Sequence, residues 1–291
     1  MAPRLLHLSD THATASGVDE TGINAVAALE RLLHDCRHVP DLDLVVVTGD
    51  IADDGSAQGC AAVRDRVGRF ASDRGIRHVY TTGNHDSRTG FTLELGTGHR
   101  DCRGEDVGAL LEGVGEERAA VSVVGGLRVV TLDSLVPGEW HGEISWAQLS
   151  ALGEVLSQPA PGGTVLAFHH PPLYSTTAPW LDPFGLRNRD ELAAAIDGTD
   201  VVAVLCGHFH LQLSARMSQA TVWVTPGVVT RIDLTAPPHV VRAVHGSSAT
   251  VIEIGGPFSP SFHVLHARDP HANEEAYVVD PTTWRPATED R

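Results

Sequence analysis

Five short polar segments constrain this chain most, because each ends an apolar, β-branched run: Asp10-Thr11-His12, Gly49-Asp50, Gly83-Asn84-His85-Asp86, His169-His170 and Gly207-His208-Phe209-His210. In open α/β sheets, ligands gather beyond the carboxyl ends of the strands. One rim can therefore collect all five segments, which together offer as ligands two Asp (Asp10 and Asp50), one Asn and at least four His. Hard and borderline divalent ions accept that mixture of carboxylate, amide oxygen and imidazole. Taken singly the segments say little. Asp10 or Asp50 could cap a turn, and one His among 17 is more often a surface or core residue. Jointly they point to a dinuclear metal site.

Asp10 and His12, two apart at a strand end, can direct an oxygen and a nitrogen at one ion. The two carboxylate oxygens of Asp50 can bridge two ions, and Asn84 adds a neutral oxygen. His169, His208 and His210 complete the set, the last two sharing a face if their segment is extended. His170 falls on the opposite face from His169 and reads as a support. Two ions about 3.5–4 Å apart lower the pKa of water and grip a phosphoryl oxygen, so in-line phosphoester hydrolysis is the expected chemistry.

Strand-like runs at Leu5–Leu8, Leu44–Thr48, His78–Thr81, Ala119–Val124, Leu127–Leu132, Thr164–Phe168, Val201–Leu205, Thr221–Thr225, Thr250–Ile254 and Ser261–His266 frame these segments. Helical periodicity falls at Asn24–His34, Gln58–Asp73, Asp106–Leu111, Ser145–Leu156 and Arg189–Ile196, with Ser145 and Asn188 as N-caps. The order reads as an α/β fold, a four-layer α/β/β/α sandwich of two packed sheets with helices on both outer faces. One domain spans residues 1–267, with 87–117 as a lid insertion. The tail, 268–291, is expected to pack on the body or on a second subunit.

A net charge of −16, from 37 acidic and 21 basic residues, argues against long nucleic acid or an anionic membrane as partner. It leaves room for a small phosphate, because bound cations outweigh carboxylates locally. No signal-like leader and no 18-residue apolar window occur, so a cytoplasmic setting is expected. The four cysteines, Cys36, Cys60, Cys102 and Cys206, have no CxxC spacing and read as reduced thiols, with a Cys60–Cys102 disulfide left open.

The segments LSDTH, VTGD, TGNHD, FHHPP and CGHFH resemble the calcineurin-like metallophosphoesterase pattern DxH…GD…GNH[DE]…H…GHxH. The similarity is greatest to bacterial class III cyclic-nucleotide phosphodiesterases and their glycerophosphodiesterase relatives, which share SDTH and a VPG-x-x-HGEI stretch, here Val136–Ile144. The resemblance covers roughly residues 4–266. It implies one metal on Asp10, His12, Asp50 and His210 and a second on Asp50, Asn84, His169 and His208, as Mn, Fe or Zn with Mn and Fe favoured. It also implies a small soluble phosphodiester as substrate, first a 3′,5′-cyclic nucleotide, then a glycerophosphodiester or a 2′,3′-cyclic nucleotide. Relatives of this kind commonly form homodimers.

His85 is the candidate proton donor, with Asp86 expected to orient its ring. His85, His141, His170 and Arg187 are candidate substrate contacts, and Trp140, Trp180 or Phe184 could stack on a base. A metal-free interaction scaffold on the same fold would lack ligands that this chain keeps. The chain departs from these relatives in lacking a Tyr-Gly segment after His12, in its long 87–117 region and in residues 226–248. Those departures bear on substrate identity rather than on chemistry.

Overall fold

The computed structural model describes residues 3–19, 22–175 and 177–287. The chain opens with β1 (Arg4–Leu8), α1 (Ala25–Asp35), β2 (Leu44–Thr48), α2 (Ala57–Ser72) and β3 (Arg77–Thr81). Next come α3 (Arg88–Leu95), β4 (His99–Arg100), β5 (Ala109–Leu110), β6 (Ala120–Val124), β7 (Leu127–Thr131) and α4 (Trp146–Leu156). The second half runs β8 (Thr164–Ala167), α5 (Arg189–Ile196), β9 (Val201–Cys206), β10 (Leu213–Met217) and β11 (Ala220–Val224). It ends with β12 (Thr230–Asp233), β13 (Val241–His245), β14 (Ser248–Glu253), β15 (Ser261–His266) and β16 (Glu275–Val279).

Two sheets form the body, in the orders β15-β14-β1-β2-β3-β4 and β10-β11-β9-β8-β7-β6-β5. Alternation along the strands explains the layers. In β2, Leu44 and Val46 pack between the sheets while Val45 and Val47 meet the helices. In β8, Val165 and Ala167 lie between the sheets, and Leu166 packs outward with α4 and α5 residues such as Leu152 and Leu192. Strands buried on both faces must read as continuous apolar runs, which is what made them visible in the sequence. The result is the expected α/β/β/α sandwich.

Asn24, Ser56, Ser87 and Ser145 each accept a backbone N–H three residues on, capping α1 to α4. Asn188 does not cap α5. Its amide instead accepts from Ile144 N (3.0 Å) and donates to Ile144 O (2.7 Å), pinning the loop before α4. The helix expected over Asp106–Leu111 is also absent. The Asp106 carboxylate accepts from Thr97 N (2.8 Å), and Ala109–Leu110 pair with β6. The 87–117 segment therefore supplies α3 and one edge strand to each sheet, rather than standing off as a long loop.

A third sheet, β12-β13-β16, was not anticipated. It carries the tail back onto the body, where Trp284 meets Trp180 and Phe184 at ring-centroid distances of 6.0 and 5.1 Å. Residues 288–291 of the expected tail lie outside the described residues. All four cysteines are free thiols, so the Cys60–Cys102 bridge is not formed. Among the described residues, no helix is long and apolar enough to cross a membrane.

Candidate metal centre

β1, β2 and β3 run parallel, as do β7, β8, β9 and β11, so their carboxyl ends present the five polar segments. The turns there are sharp. Asp10, His12, Asp50, His208 and His210 all hold left-handed backbone, with φ of 56°, 45°, 46°, 69° and 49°. A non-glycine residue in that region costs on the order of 1 kcal/mol or more and persists where its surroundings over-determine it. The segment holding His208 and His210 is thus not extended, as the alternation argument assumed. Two left-handed turns, rather than strand alternation, direct both side chains.

Cross-links between loops over-determine these turns. Asp10 N donates to Gly49 O (3.2 Å) and His12 N to Asp50 O (2.9 Å). The Asp10 carboxylate accepts from His208 N (3.1 Å), and Asp50 Oδ1 accepts from His85 N (2.9 Å). At Gly207 a Cβ would fall 1.7 Å from Ser9 Oγ and 2.7 Å from Asp10 Oδ2, so only glycine lets these loops close up.

The side chains then converge with acceptors facing acceptors. His12 Nδ1 lies 2.8 Å from Asp53 Oδ1, and His169 Nδ1 lies 2.8 Å from the Thr48 carbonyl. Both partners only accept, so each Nδ1 carries a hydrogen and it is Nε2 that is left to offer a lone pair to a cation. His12 Nε2 points at His210 Nε2 (3.3 Å), and His169 Nε2 faces Asn84 Oδ1 and Asp50 Oδ2, both at 3.2 Å. His210 Nε2 is 3.3 Å from Asp10 Oδ1. His208 Nε2 is buried without a hydrogen-bond partner. Such an arrangement is stable only if protons or cations sit among the lone pairs. In the metal-free chain a proton serves at His169: burial pulls its pKa down, but Asp50 and Asp10 prevail and lift it to about 9. The same attraction, from His210 and His169, holds Asp10 and Asp50 below the usual carboxylate range although burial opposes it.

These residues fit divalent cations. Asp10, His12 and His210 form one group whose ligand atoms lie within 4.8 Å of one another; Asp10, Asp50 and His169 form a second. His169, His170 and His208 form a third, so His170 stands closer to the ligands than a face-alternation argument allows. Its Nδ1 lies 2.8 Å from Ser134 Oγ, while its Nε2 is buried without a partner.

The orienter of His85 is a correction. Asp86 accepts from Ile51 N (3.1 Å), Ala52 N (2.9 Å) and Gly83 N (2.9 Å), so it ties the Asp50 turn to the Asn84 turn. Asp53 meets the His85 ring instead: Nδ1 lies 3.0 Å from Asp53 O and 3.2 Å from Asp53 Oδ1. Burial lowers the His85 pKa, but the Asp50 and Asp53 carboxylates outweigh it and raise it to about 10, so the ring is protonated at neutral pH. Asp53 thereby touches both His12 and His85. Its sequence signal was available, an acidic residue three places after Asp50.

The other expected contacts lie nearby. His141 is nearly buried, with Nδ1 3.4 Å from Glu139 Oε2. Burial first, then Arg187, lowers its pKa. Arg187 is exposed and its backbone N–H donates to Gly142 O (2.9 Å). Trp180 and Phe184 pack with Trp284, whereas Trp140 stands against the His85 ring at 5.7 Å. The sequence also hid Thr230, whose Oγ1 lies 2.8 Å from His210 Nδ1.

A two-sheet sandwich with this cluster on its rim defines a class of metal-centred phosphoesterases, and the calcineurin-like phosphoesterase family matches residues 3–212. The chain belongs to that family. It is 35% identical over 252 residues to a cAMP/cGMP dual specificity phosphodiesterase of Mycobacterium tuberculosis, covering 84% of this chain and 73% of the relative. It is 30% identical to a 3′,5′-cyclic adenosine monophosphate phosphodiesterase of Escherichia coli, over 77% of this chain and 75% of that one. A purple acid phosphatase from yellow lupin seeds shares the fold, with a TM-score of 0.55 at 12% identity, covering 99% of this chain and 53% of that one.

Proposed function

We propose that this chain hydrolyses 3′,5′-cyclic nucleotides with two divalent cations held on its strand ends. The observation that carries the chemistry is the convergence of Asp and Asn oxygens with imidazole nitrogens at contact distance, with His208 Nε2 buried and unpartnered among them. The substrate class follows from the relatives named for it. Asp10, His12, Asp50 and His210 would hold one cation, and Asp50, Asn84, His169 and His208 the other. The mixed oxygen and nitrogen set favours Mn²⁺ or Fe²⁺, with Zn²⁺ also accommodated. When bound, such a pair activates water for attack on phosphorus and neutralises charge on the phosphoryl oxygens.

The chain's own residues do the rest. His85 is held by Asp53 through Nδ1, which leaves Nε2 to give its proton to the departing ester oxygen. Positioned acid catalysis of this kind contributes roughly 10²–10⁴-fold. His141 and Arg187 stand on the same side and are suited to bind the phosphate. Buried, free thiols at Cys36, Cys60 and Cys206 suit a reducing, cytoplasmic setting.

Initial rates of Mn²⁺-loaded protein on 3′,5′-cAMP, 2′,3′-cAMP, glycerophosphocholine and 4-nitrophenyl phosphate test this, with Asn84→Ala as control. The expected result is preferred turnover of 3′,5′-cAMP, abolished in the variant. Preference for glycerophosphocholine would reassign the substrate, and no turnover with metals bound would remove the enzyme reading.

A further inference from the structure

We infer that Trp140 is the platform on which the nucleobase stacks, and so the residue that distinguishes a nucleotide from other small phosphodiesters. This rests on the cyclic-nucleotide reading above.

Trp140 is 60% exposed, which leaves most of an indole surface free to take a stacking partner. Its ring stands 5.7 Å from that of His85, edge to face at 77°. Other exposed aromatic rings are placed differently: Tyr174 lies under the Arg189 guanidinium, Trp284 packs on Trp180 and Phe184, and Trp146 on α4 and Phe258 make no ring contact with a histidine of the site. Among the described residues, Trp140 is the exposed indole that touches a histidine of the site. In a cyclic nucleotide only the sugar separates base from phosphate. With the ester oxygen at His85, the base falls beside Trp140.

The loop that presents the indole is stiff. Val136-Pro137-Gly138-Glu139 forms a turn closed by Glu139 N to Val136 O (3.0 Å), with Gly138 at φ 81°. Proline then glycine at these positions is the type II signature. Beyond the turn, Gly142 pairs with both Leu135 and Leu186, and Glu143 N donates to Ser134 O (3.1 Å). Arg88 Nη2 donates to Leu135 O (2.6 Å) from below. A Cβ on Gly142 would lie 2.4 Å from His170 Cγ, so the loop is seated directly on the wall of the metal centre. A ring fixed before binding loses little freedom when a base stacks on it. Trp140 points out while its neighbour His141 points in, so one short loop offers an apolar face to the base and an imidazole to the phosphate.

Stacking one base on one ring changes affinity by roughly ten-fold or more. The test compares wild type, Trp140→Ala and Trp140→Phe on 3′,5′-cAMP and on an abasic ribose 3′,5′-cyclic phosphate. Trp140→Ala should lose roughly ten-fold in kcat/KM on cAMP, mostly through KM, and at least five-fold less on the abasic ester. Trp140→Phe should recover most of the loss. As a binding readout, 5′-AMP should quench the indole fluorescence of the wild type, and Trp140→Phe should abolish most of that quenching. Equal losses on the two esters, or unchanged quenching in Trp140→Phe, would overturn the role of Trp140 while leaving the phosphodiesterase reading intact. Failure of the wild type to hydrolyse cAMP would overturn the cyclic-nucleotide reading and this inference with it.

Discussion

The two halves of the metal centre orient their imidazoles by different means. On the Asp10 side, His12 and His210 rest on side chains, the Asp53 carboxylate and the Thr230 hydroxyl, each supplied by a connecting loop or edge strand. On the Asn84 side, His169 rests on the main-chain carbonyl of Thr48, at the end of a central strand. One half can be detuned by a single substitution, whereas the other is as fixed as the sheet itself. Partners behind the ligands typically tune metal affinity 10–100-fold, so the halves should respond unequally to mutation.

The largest effect should come from the residue both halves share. Asp50→Ala is expected to lower kcat/KM by roughly 10³-fold and to reduce bound metal at both positions, read by elemental analysis. Next, Asp53→Asn should weaken binding at the Asp10 side by about 10–100-fold. Because Asp53 also holds His85, the activity loss should be greater for cAMP than for bis(4-nitrophenyl) phosphate, whose leaving group needs no proton. Equal losses on both would argue that Asp53 acts through the metal alone. A sharper contrast pairs Thr230→Val with Thr48→Val. The first should cost roughly ten-fold in affinity for one cation. The second keeps its carbonyl and should leave metal affinity unchanged, with a lower Tm because His7 Nε2 loses its hydroxyl partner (2.8 Å). If both weaken metal binding alike, the distinction between the halves fails.

His99 supplies the control far down this scale, a buried histidine whose nitrogens meet hydroxyls of Ser122 (2.7 Å) and Thr131 (2.9 Å). Burial holds its pKa down to about 4. The unfolded chain takes up that proton first, so the stability His99 contributes is complete above about pH 6.5 and is lost as pH falls toward 4. The loss is about 3 kcal/mol at most. Chemical denaturation of metal-free protein at several pH values should show that slope, and His99→Gln should flatten it. Activity at neutral pH should hardly change.

The parts of the molecule most legible beforehand were those with an unbroken apolar run or a clear periodicity. Leu44–Thr48 and Ser261–His266 were bounded correctly, and α5 matched Arg189–Ile196. β12 and β13 escaped because Arg231, Asp233 and Arg242 interrupt their apolar pattern, and β16 because its partner lies far away in sequence. The clustering of the candidate ligands was legible because metal chemistry restricts residue types. Asp53 holds the position expected of Asp86 beside His85, and both are acidic neighbours of candidate ligands. Only the fold shows that backbone N–H groups claim Asp86 and leave Asp53 facing two rings. The left-handed turns were hidden too, since Asp and His carry no sign of φ.

β1 lies between β2 and β14, so the strand leading to Asp10 has one neighbour made soon after it and one made after His210. His210 in turn rests on Thr230, in the strand β12 that pairs with β13. A growing chain therefore exposes Asp10, His12, Asp50 and Asn84 long before the last supports of the centre emerge from the ribosome. The seat of the cluster is thus finished by strands that follow all of its residues in sequence, β12 behind His210 and β14 beside β1.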